Sequence, residues 1–206
     1  MLKQTLRASA RGFTMIEMAI TMAIFGFLLA AALPSIGVWL DNTRIRTVAE
    51  SIQAGLQTAR AEAVKRNQSI SFWLVQLDDP NALTDSCDLS STSGSWVVSV
   101  NAPNGHCGAA PSTTDSPMLV TGRPVGESGS HVRVAAVQSD GSAGLKVTFN
   151  GFGRIANTTD AITQVDVMGQ DPSRTDYRSL RITISGTGMV RMCDPGATSS
   201  DDPRKC

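Results

Sequence analysis

The chain has 206 residues, of which 41% are hydrophobic, and it carries 18 basic and 18 acidic side chains. This length fits one globular domain with an appendage. The charges are unevenly placed, since residues 1–12 carry three bases and no acid, whereas residues 67–206 carry ten bases and fourteen acids. An acidic C-terminal portion does not attract phosphate backbones over its whole surface, which excludes a general nucleic-acid-binding protein.

The first predicted element is an apolar helix near the N-terminus. Residues 13–40 contain a single charged side chain, Glu17. At about 1.5 Å per residue, a helix over residues 13–33 would span about 31 Å, close to the thickness of the hydrocarbon core of a bilayer. The three bases ahead of it favour a cytoplasmic N-terminus and send the remainder outward. The sequence therefore predicts one membrane-spanning helix.

Two ordinary interpretations of this segment leave Glu17 unexplained. A cleaved secretory signal would use the small residues at 30–32 as its cleavage site, and a plain signal anchor would account for the helix and its orientation. Neither gives a reason for a carboxylate inside an apolar run, where a charge is costly and is usually paired and functional.

The stretch Arg11-Gly12-Phe13-Thr14-Met15-Ile16-Glu17, between a basic leader and the apolar run, resembles the class III signal of type IV pilins and of the pseudopilins of type II secretion. In that family a prepilin peptidase cuts after the glycine on the cytoplasmic side and methylates the new terminal amine. The resemblance implies cleavage between Gly12 and Phe13, N-methylation of Phe13, and a role of Glu17 in methylation and assembly. It implies as partners the other pilins or pseudopilins of the same filament, the peptidase and the inner-membrane assembly platform.

Beyond the apolar run, the predicted helix becomes amphipathic over residues 41–66. Apolar side chains recur there with helical spacing and form one stripe, which needs a sheet to cover it. The stripe consists of Ile45, Val48, Ala49, Ile52, Leu56, Ala59 and Ala63.

Seven later segments have the composition or the alternation of β-strands, while residues 78–95 and 101–130 have the composition of long irregular loops. The seven segments are residues 69–76, 96–100, 132–137, 145–149, 164–168, 180–184 and 189–192. We expect an α+β fold in which two small antiparallel sheets pack on the second half of the helix. The resemblance implies the pilin fold, in which the first half of that helix is transmembrane.

Three phrases, residues 58–67, 149–155 and 189–195, resemble the GspH/FimT branch of minor pilins and minor pseudopilins. The expected organisation is then a leader at residues 1–12 that is removed, a transmembrane and filament-core helix at 13–40, an amphipathic continuation at 41–66, and a β-rich periplasmic or extracellular head at 67–206. Such a chain lies in the bacterial inner membrane with its N-terminus cytoplasmic, and then enters a pilus or pseudopilus.

The cysteines, Cys87, Cys107, Cys193 and Cys206, all follow the apolar segment. An even count in an oxidising compartment indicates two disulfide bonds, and three pairings are possible. We favour Cys87 with Cys107 and Cys193 with Cys206, because each pair closes a short loop rich in turn residues. No C-x-x-C spacing occurs and His106 adjoins Cys107, so no metal site is predicted.

No arrangement of residues indicates catalysis or a cofactor. An enzyme would need a nucleophile, an acid and a base in one pocket, but His106 and His131 lie in Gly/Ser-rich stretches and no G-x-S-x-G occurs. We therefore expect a protein that works by assembly rather than by chemistry.

DNA binding is the less favoured alternative. Some FimT-type proteins are regarded as DNA receptors through a C-terminal Gly-Arg-x-Arg motif, and the matching stretch here is Gly188-Met189-Val190-Arg191, with Met189 in place of the first arginine. Arg191, Arg204 and Lys205 remain as a small candidate DNA-binding cluster, with Asp194, Asp201 and Asp202 close by in the sequence. The sequence as a whole favours a minor pilin or pseudopilin that joins, and helps to prime, a type IV pilus. The alternatives are a type II secretion pseudopilus and a DNA receptor for transformation.

Overall fold

The computed structural model describes residues 12–206, except for the side chains of residues 31–35 and 127. Its first element is helix α1, Met15–Arg66. The chain forms two compact units, of which the second comprises Leu40–Cys206. The expected leader lies, up to residue 11, outside the described residues. Across the described residues, from which the side chains of 31–35 are excluded, no helix is long and apolar enough to cross a membrane.

Nine strands follow α1 in the described chain, and a short 3₁₀ helix at Gly126–His131 precedes the fifth. They are β1 (Ile70–Leu77), β2 (Cys87–Leu89), β3 (Ser95–Ser99), β4 (Leu119–Arg123), β5 (Val132–Val137), β6 (Lys146–Phe149), β7 (Gln164–Gly169), β8 (Leu180–Ile184) and β9 (Val190–Cys193). The seven predicted strands are confirmed within one residue at each end. Strands β2 and β4 were not predicted, and both lie in segments expected to be irregular loops.

The strands form two antiparallel sheets, as expected for the α+β fold. In the first sheet the order is β2-β1-β3-β4, and β6 pairs with β1 as well. In the second sheet the order is β5-β7-β8-β9. Val132 of β5 lies opposite Gly169 of β7, and Ile184 of β8 lies opposite Val190 of β9.

One hydrophobic core joins both sheets to the second half of α1. The stripe of seven apolar side chains predicted from its spacing is buried throughout, at 2% exposure or less. It packs against Phe72 and Trp96 of the first sheet and against Val165 and Ile182 of the second. The predicted amphipathic helix and its covering by two sheets are therefore confirmed.

A second, smaller core lies on the opposite face of the first sheet. Alternate residues of β1 point to opposite faces, so Phe72 and Leu74 join the main core, whereas Trp73 and Val75 join the second. Cys87 of β2, Cys107 of the loop before β4, and Leu119 of β4 complete this second core. Strand β2 exists because Cys87–Leu89 pairs with the end of β1, a long-range contact that leaves no periodicity in the sequence.

At Gly55, α1 lies close to the first sheet, which gives a test of this packing. A Cβ at Gly55 would lie 2.7 Å from ring atoms of both Phe72 and Trp96. We expect Gly55→Ala to lower the free energy of unfolding by about 1–2 kcal/mol, because overpacking costs about 1–3 kcal/mol and outweighs the gain of about 1 kcal/mol in helix propensity. Thermal unfolding of the full chain in detergent, followed by near-UV circular dichroism, measures the change.

The matched control is Gly37→Ala, since Gly37 lies in the same helix and an added Cβ there would meet nothing within 4 Å. This variant should unfold at or above the midpoint of the parent protein. A Gly55→Ala variant as stable as the parent protein would contradict the close packing.

Candidate functional site

The start of α1 is a capping box formed by Thr14 and Glu17. The Thr14 carbonyl accepts the first helical hydrogen bond, from the Met18 N–H at 3.2 Å, which makes Thr14 the N-cap residue. The Glu17 N–H donates to Thr14 Oγ1 at 3.3 Å, and the Thr14 N–H donates back to Glu17 Oε2 at 2.8 Å. Thr14 and Glu17 thus satisfy each other's backbone donors at the end of the helix.

This arrangement uses one oxygen of the Glu17 carboxylate and leaves the other available. Oε2 accepts from both the N–H and the hydroxyl of Thr14, at 2.8 and 2.9 Å. Oε1 accepts no hydrogen bond from the described residues, although a carboxylate oxygen has two acceptor sites. A cation from another molecule could bind Oε1 without breaking the cap.

No other part of the described chain covers the helix around Glu17. Every described side chain from residue 12 to residue 30 is exposed, including the large side chains of Phe13, Met15 and Phe27. A continuous apolar surface of this extent marks a site of contact with lipid or with other protein chains. Gly26 leaves open space beside the helix, with no atom within 4 Å of an added Cβ, so a neighbouring helix can approach closely there.

The four cysteines form two disulfide bonds, and they are the pairs that the loop lengths favoured. Cys87 bonds to Cys107 across a separation of 20 residues, with the Cα atoms 6.3 Å apart. Cys193 bonds to Cys206 across 13 residues, with the Cα atoms 5.1 Å apart. The first bond lies in the second core, and the second ties the C-terminal tail to the end of β9.

Arg191 of β9 holds this C-terminal tail. Its Nη2 donates to the carbonyl oxygens of Pro203 at 3.1 Å and of Lys205 at 2.9 Å. The tail also pairs with the end of β9, because the Asp194 N–H donates to the Arg204 carbonyl at 2.6 Å. Strand β9 is an edge strand, and the tail covers part of its free edge.

Arg204, a second residue of the predicted DNA-binding cluster, forms an ion pair with Asp202. Its Nη2 lies 2.7 Å from Asp202 Oδ2, and its Nε donates to Oδ1 at 3.0 Å. Hydrogen bonds from the side chain and the backbone N–H of Arg204 lower the pKa of Asp202 to about 2. Asp202 is therefore ionised at neutral pH and compensates the charge of Arg204. Lys205 lies beside it in the tail and pairs with Asp194 through the backbone.

Comparison with known protein families shows which family the chain belongs to. Residues 48–188, more than half of the chain, match the family model described as "Type II transport protein GspH". The chain belongs to the GspH family. Residues 7–33 of this GspH-family chain also match the model of the prokaryotic N-terminal methylation motif, and this range includes Gly12, Phe13 and Glu17. The resemblance drawn from the sequence is therefore confirmed.

Two solved structures resemble this GspH-family chain, both of the type IV minor pilin FimU of Pseudomonas aeruginosa strain PAO1, in two crystal forms. The first has 17% sequence identity and a TM-score of 0.47, and the match covers 78% of this chain and 99% of FimU. The second has 17% identity and a TM-score of 0.44, covering 75% and 99% respectively. No curated protein sequence matches the chain.

Membership of the GspH family, together with the methylation motif, gives the general role of the protein. It is a minor pilin or pseudopilin, a membrane-anchored subunit that assembles with other pilins in a filament. Pilin and pseudopilin families consist of structural, non-enzymatic proteins. Across the described residues, no three His, Cys, Asp or Glu side chains are grouped so that they could hold a metal ion.

The capping box was missed by the sequence reasoning, although its signal was present. A Thr followed three residues later by a Glu at the start of an apolar run is the usual N-terminal signature of a helix. Thr14 and Glu17 fit that signature, but the sequence-based interpretation considered only the charge of Glu17. The described structure gives Glu17 a local role in addition to the one that the resemblance implies.

Proposed function

We propose that the protein is a minor subunit that joins, and helps to initiate, a type IV pilus. The observation that carries the proposal is the exposed apolar surface of residues 12–30 with one carboxylate at its start. Such a helix needs lipid before assembly and the helices of other subunits after it. The extraction of one subunit from the membrane then exchanges one apolar environment for another.

The proposed processing follows from the methylation motif. A prepilin peptidase cuts between Gly12 and Phe13, and methylation converts the new terminus of Phe13 into an N-methylated amine. In the proposed membrane topology the leader lies in the cytoplasm, residues 13–40 cross the inner membrane once, and the head lies in the periplasm. The inner-membrane assembly platform then moves the subunit into the filament.

Glu17 supplies the counter-charge for that amine in our proposal. The free Oε1 of Glu17 accepts the positively charged terminus of Phe13 from an adjacent subunit, so that two charges become one pair in the low-dielectric filament core. Burial of either charge alone is strongly unfavourable, which lets the pair set the axial register between subunits.

Mass spectrometry of the protein isolated from its own cells tests the proposed processing. We expect the mature chain to begin at Phe13 and to carry one additional methyl group on its terminal amine. A Gly12→Ala variant should retain residues 1–12 and remain in the membrane fraction. A mature chain beginning at Met1, or beyond residue 32, would refute the proposal.

The alternative filament is the pseudopilus of a type II secretion system, which the same anchor and head would suit. The genes that flank this one distinguish the two systems. Neighbouring genes for minor pilins support the pilus, whereas genes for an outer-membrane secretin and secretion components support the pseudopilus. Deletion of the gene should correspondingly abolish either surface piliation or secretion of exported enzymes.

The contacts within the C-terminal cluster argue against the DNA-receptor alternative. Arg191 is engaged by tail carbonyls and Arg204 by Asp202, so these two guanidinium groups are already used. We expect the full chain in detergent to show no salt-sensitive shift of a DNA duplex at micromolar protein, measured at two salt concentrations. Binding that weakens steeply with salt would instead identify a DNA receptor.

A further inference from the structure

Three large apolar side chains are exposed together on the unit Leu40–Cys206. After Leu40 itself, the large hydrophobic residues exposed among the described residues of this unit are Val64 at 50%, Phe152 at 84% and Met189 at 61%. They come from the last turns of α1, the turn that follows β6, and the turn between β8 and β9. Single exposed apolar residues are ordinary, but these three lie side by side.

The turn that carries Phe152 lies between the other two elements. A Cβ on Gly153 would lie 3.2 Å from Cγ2 of Val64, so this turn contacts the last turns of α1. On the other side, a Cβ on Gly188 would collide with the Gly153 carbonyl oxygen. Phe152 and Met189 are the chain neighbours of these two glycines. We refer to Val64, Phe152 and Met189 as the end patch.

Hydrogen bonds hold the backbone of Phe152 in place. The Asn150 side-chain oxygen accepts from the N–H groups of Phe152 at 3.0 Å and of Arg154 at 3.1 Å. The Gly153 N–H donates to the Asn150 carbonyl at 2.8 Å, and the φ of +71° at Gly153 suits glycine. An aromatic side chain on a fixed backbone loses little conformational freedom when it is bound, which suits it to the centre of an interface.

The surroundings of the end patch are basic. Arg60 lies beside the turn, because its Nε donates to a carbonyl of the turn at 3.0 Å, and Arg154 belongs to the turn. No carboxylate pairs with either guanidinium group within the described part of the chain. In the last turn of α1, Glu62 binds both Lys65 at 3.1 Å and Arg66 at 2.7 Å, so this trio keeps one net positive charge. The fitting partner surface is therefore apolar with an excess of carboxylates.

The head of a second copy of this chain does not fit the end patch. Apart from the end patch, Leu40 is the one large hydrophobic side chain that is exposed in the described residues of the unit Leu40–Cys206. Another head therefore offers no apolar surface for Phe152 except its own end patch. Two end patches in contact would bring Arg60 and Arg154 of one copy against the same arginines of the other, and like charges repel there. The fitting partner is a different protein.

The end patch lies at the end of the unit that is farther along α1 from the N-terminus. Val64 and Leu40 belong to the same helix and are separated by roughly 36 Å at about 1.5 Å per residue. The proposed membrane-spanning segment ends at Leu40, so this separation favours a protein partner over the lipid of that membrane. In a filament of parallel helices, this end of one head meets the subunit ahead of it in the helical array.

We propose that the end patch binds the head of a different subunit, which carries its own N-terminal methylation motif and lies directly ahead of this chain in the filament. The fitting surface on that subunit is an apolar pocket for the Phe152 ring, with Asp or Glu side chains at its rim that face Arg60 and Arg154. The inference rests on the proposed function and deepens it, since it names the partner of the head. Because a second copy does not fit, this chain does not stack on itself.

Site-specific crosslinking in cells that make the filament tests this contact. The full chain carries a tag, and a photoreactive benzoylphenylalanine replaces Phe152. We expect a crosslink to a different protein that has its own methylation motif, with the attachment site in its head within a few residues of an Asp or Glu, as located by mass spectrometry. The same photoreactive residue at Ser139, an exposed turn position, is the matched control and should give less than a tenth of that yield.

Charge reversal separates specific docking from chance contact. Arg154→Glu in the photoreactive chain should lower the crosslink yield about tenfold, and Lys in place of the carboxylate nearest the attachment site should restore at least half of the parent yield. Arg178→Glu is the matched control and should leave the yield unchanged. Arg178 is exposed and lies at the other end of this unit, where its N–H donates to the Asn42 side chain at 2.7 Å. Near-UV circular dichroism verifies that each variant is folded.

Several outcomes would overturn the inference. These are a crosslink to a second copy of this chain, to DNA, to lipid or to a protein without the methylation motif, and a yield that Arg154→Glu leaves unchanged. Failure of the proposed function is measured separately, by the N-terminus of the mature chain and its presence in filaments. A protein that crosslinks as expected but never enters filaments would refute only the proposed function. A protein that enters filaments without this crosslink would refute only the contact.

Discussion

Replacing Glu17 with Gln should reduce incorporation of the protein into filaments by about 100-fold or more while leaving membrane insertion intact. A glutamine keeps the size and the acceptor oxygen that the capping box requires, but it cannot neutralise an amine. The proposed Phe13 amine of the adjacent subunit would then be an unpaired charge in an apolar filament core. The fraction of protein in sheared filaments relative to membranes, measured by immunoblotting, gives the result.

The matched control for Glu17→Gln is Thr14→Ala. This change removes the Thr14 hydroxyl from both of its hydrogen bonds with Glu17 and costs about 1 kcal/mol of helix stability, but it leaves the carboxylate in place. We expect this variant to enter filaments within a few-fold of the parent level. Normal incorporation of Glu17→Gln together with loss of incorporation of Thr14→Ala would show that Glu17 acts as a cap and not as a counter-charge.

The second large effect concerns the disulfide bond of the second core. Replacing both Cys87 and Cys107 with Ala should lower the free energy of unfolding by about 3 kcal/mol, since the bond closes a loop of 20 residues. Both cysteines are buried in the second core, which lies on one face of the first sheet. The thermal midpoint under non-reducing conditions should fall by about 6–12 °C.

The Cys193–Cys206 bond provides the comparison for this effect. Its removal should lower the midpoint less, because the tail can detach locally while both cores remain intact. We expect carboxypeptidase to shorten the released tail faster than the tail of the parent chain, which the Cys193–Cys206 bond holds on β9. Equal loss of stability from the two double variants would contradict the assignment of Cys87–Cys107 to a structural core.

The hydrophobic spacing of α1 predicted its buried face because helix burial is periodic and local. The stripe from Ile45 to Ala63 repeats every three or four residues, and these positions are the ones that the two sheets cover. The seven predicted strands were identified for the same reason, through short alternating runs between turn residues. The N-terminal motif could also be recognised from the sequence, since its residues are contiguous.

Strands β2 and β4 could not be predicted from their own residues. Cys87–Leu89 has three residues and takes its structure from pairing with Val75 to Leu77 of β1. Strand β4, Leu119–Arg123, contains a glycine and pairs with β3 through an irregular register. In both cases a partner distant in the sequence determines the structure, and short-range patterns carry no record of that partner.

The roles of the C-terminal arginines depended in the same way on distant neighbours. In the sequence, Arg191, Arg204 and Lys205 form a small basic cluster near three acids. In the structure, the Cys193–Cys206 bond folds the tail onto β9, so Arg191 binds tail carbonyls and Arg204 binds Asp202. Arg191 and Arg204 thus stabilise the C-terminal tail. Composition alone could not distinguish this role from binding to phosphate groups.

The amino-acid sequence by itself determined the apolar N-terminal segment with Glu17, the amphipathic half of α1 and most of the strands, because each depends on residues within a few positions of one another. The tertiary structure alone decided the second core and the hydrogen bonds by which Arg191 holds the C-terminal tail. These features unite residues from separate elements, and their proximity follows from how the sheets pack on the helix rather than from any local pattern.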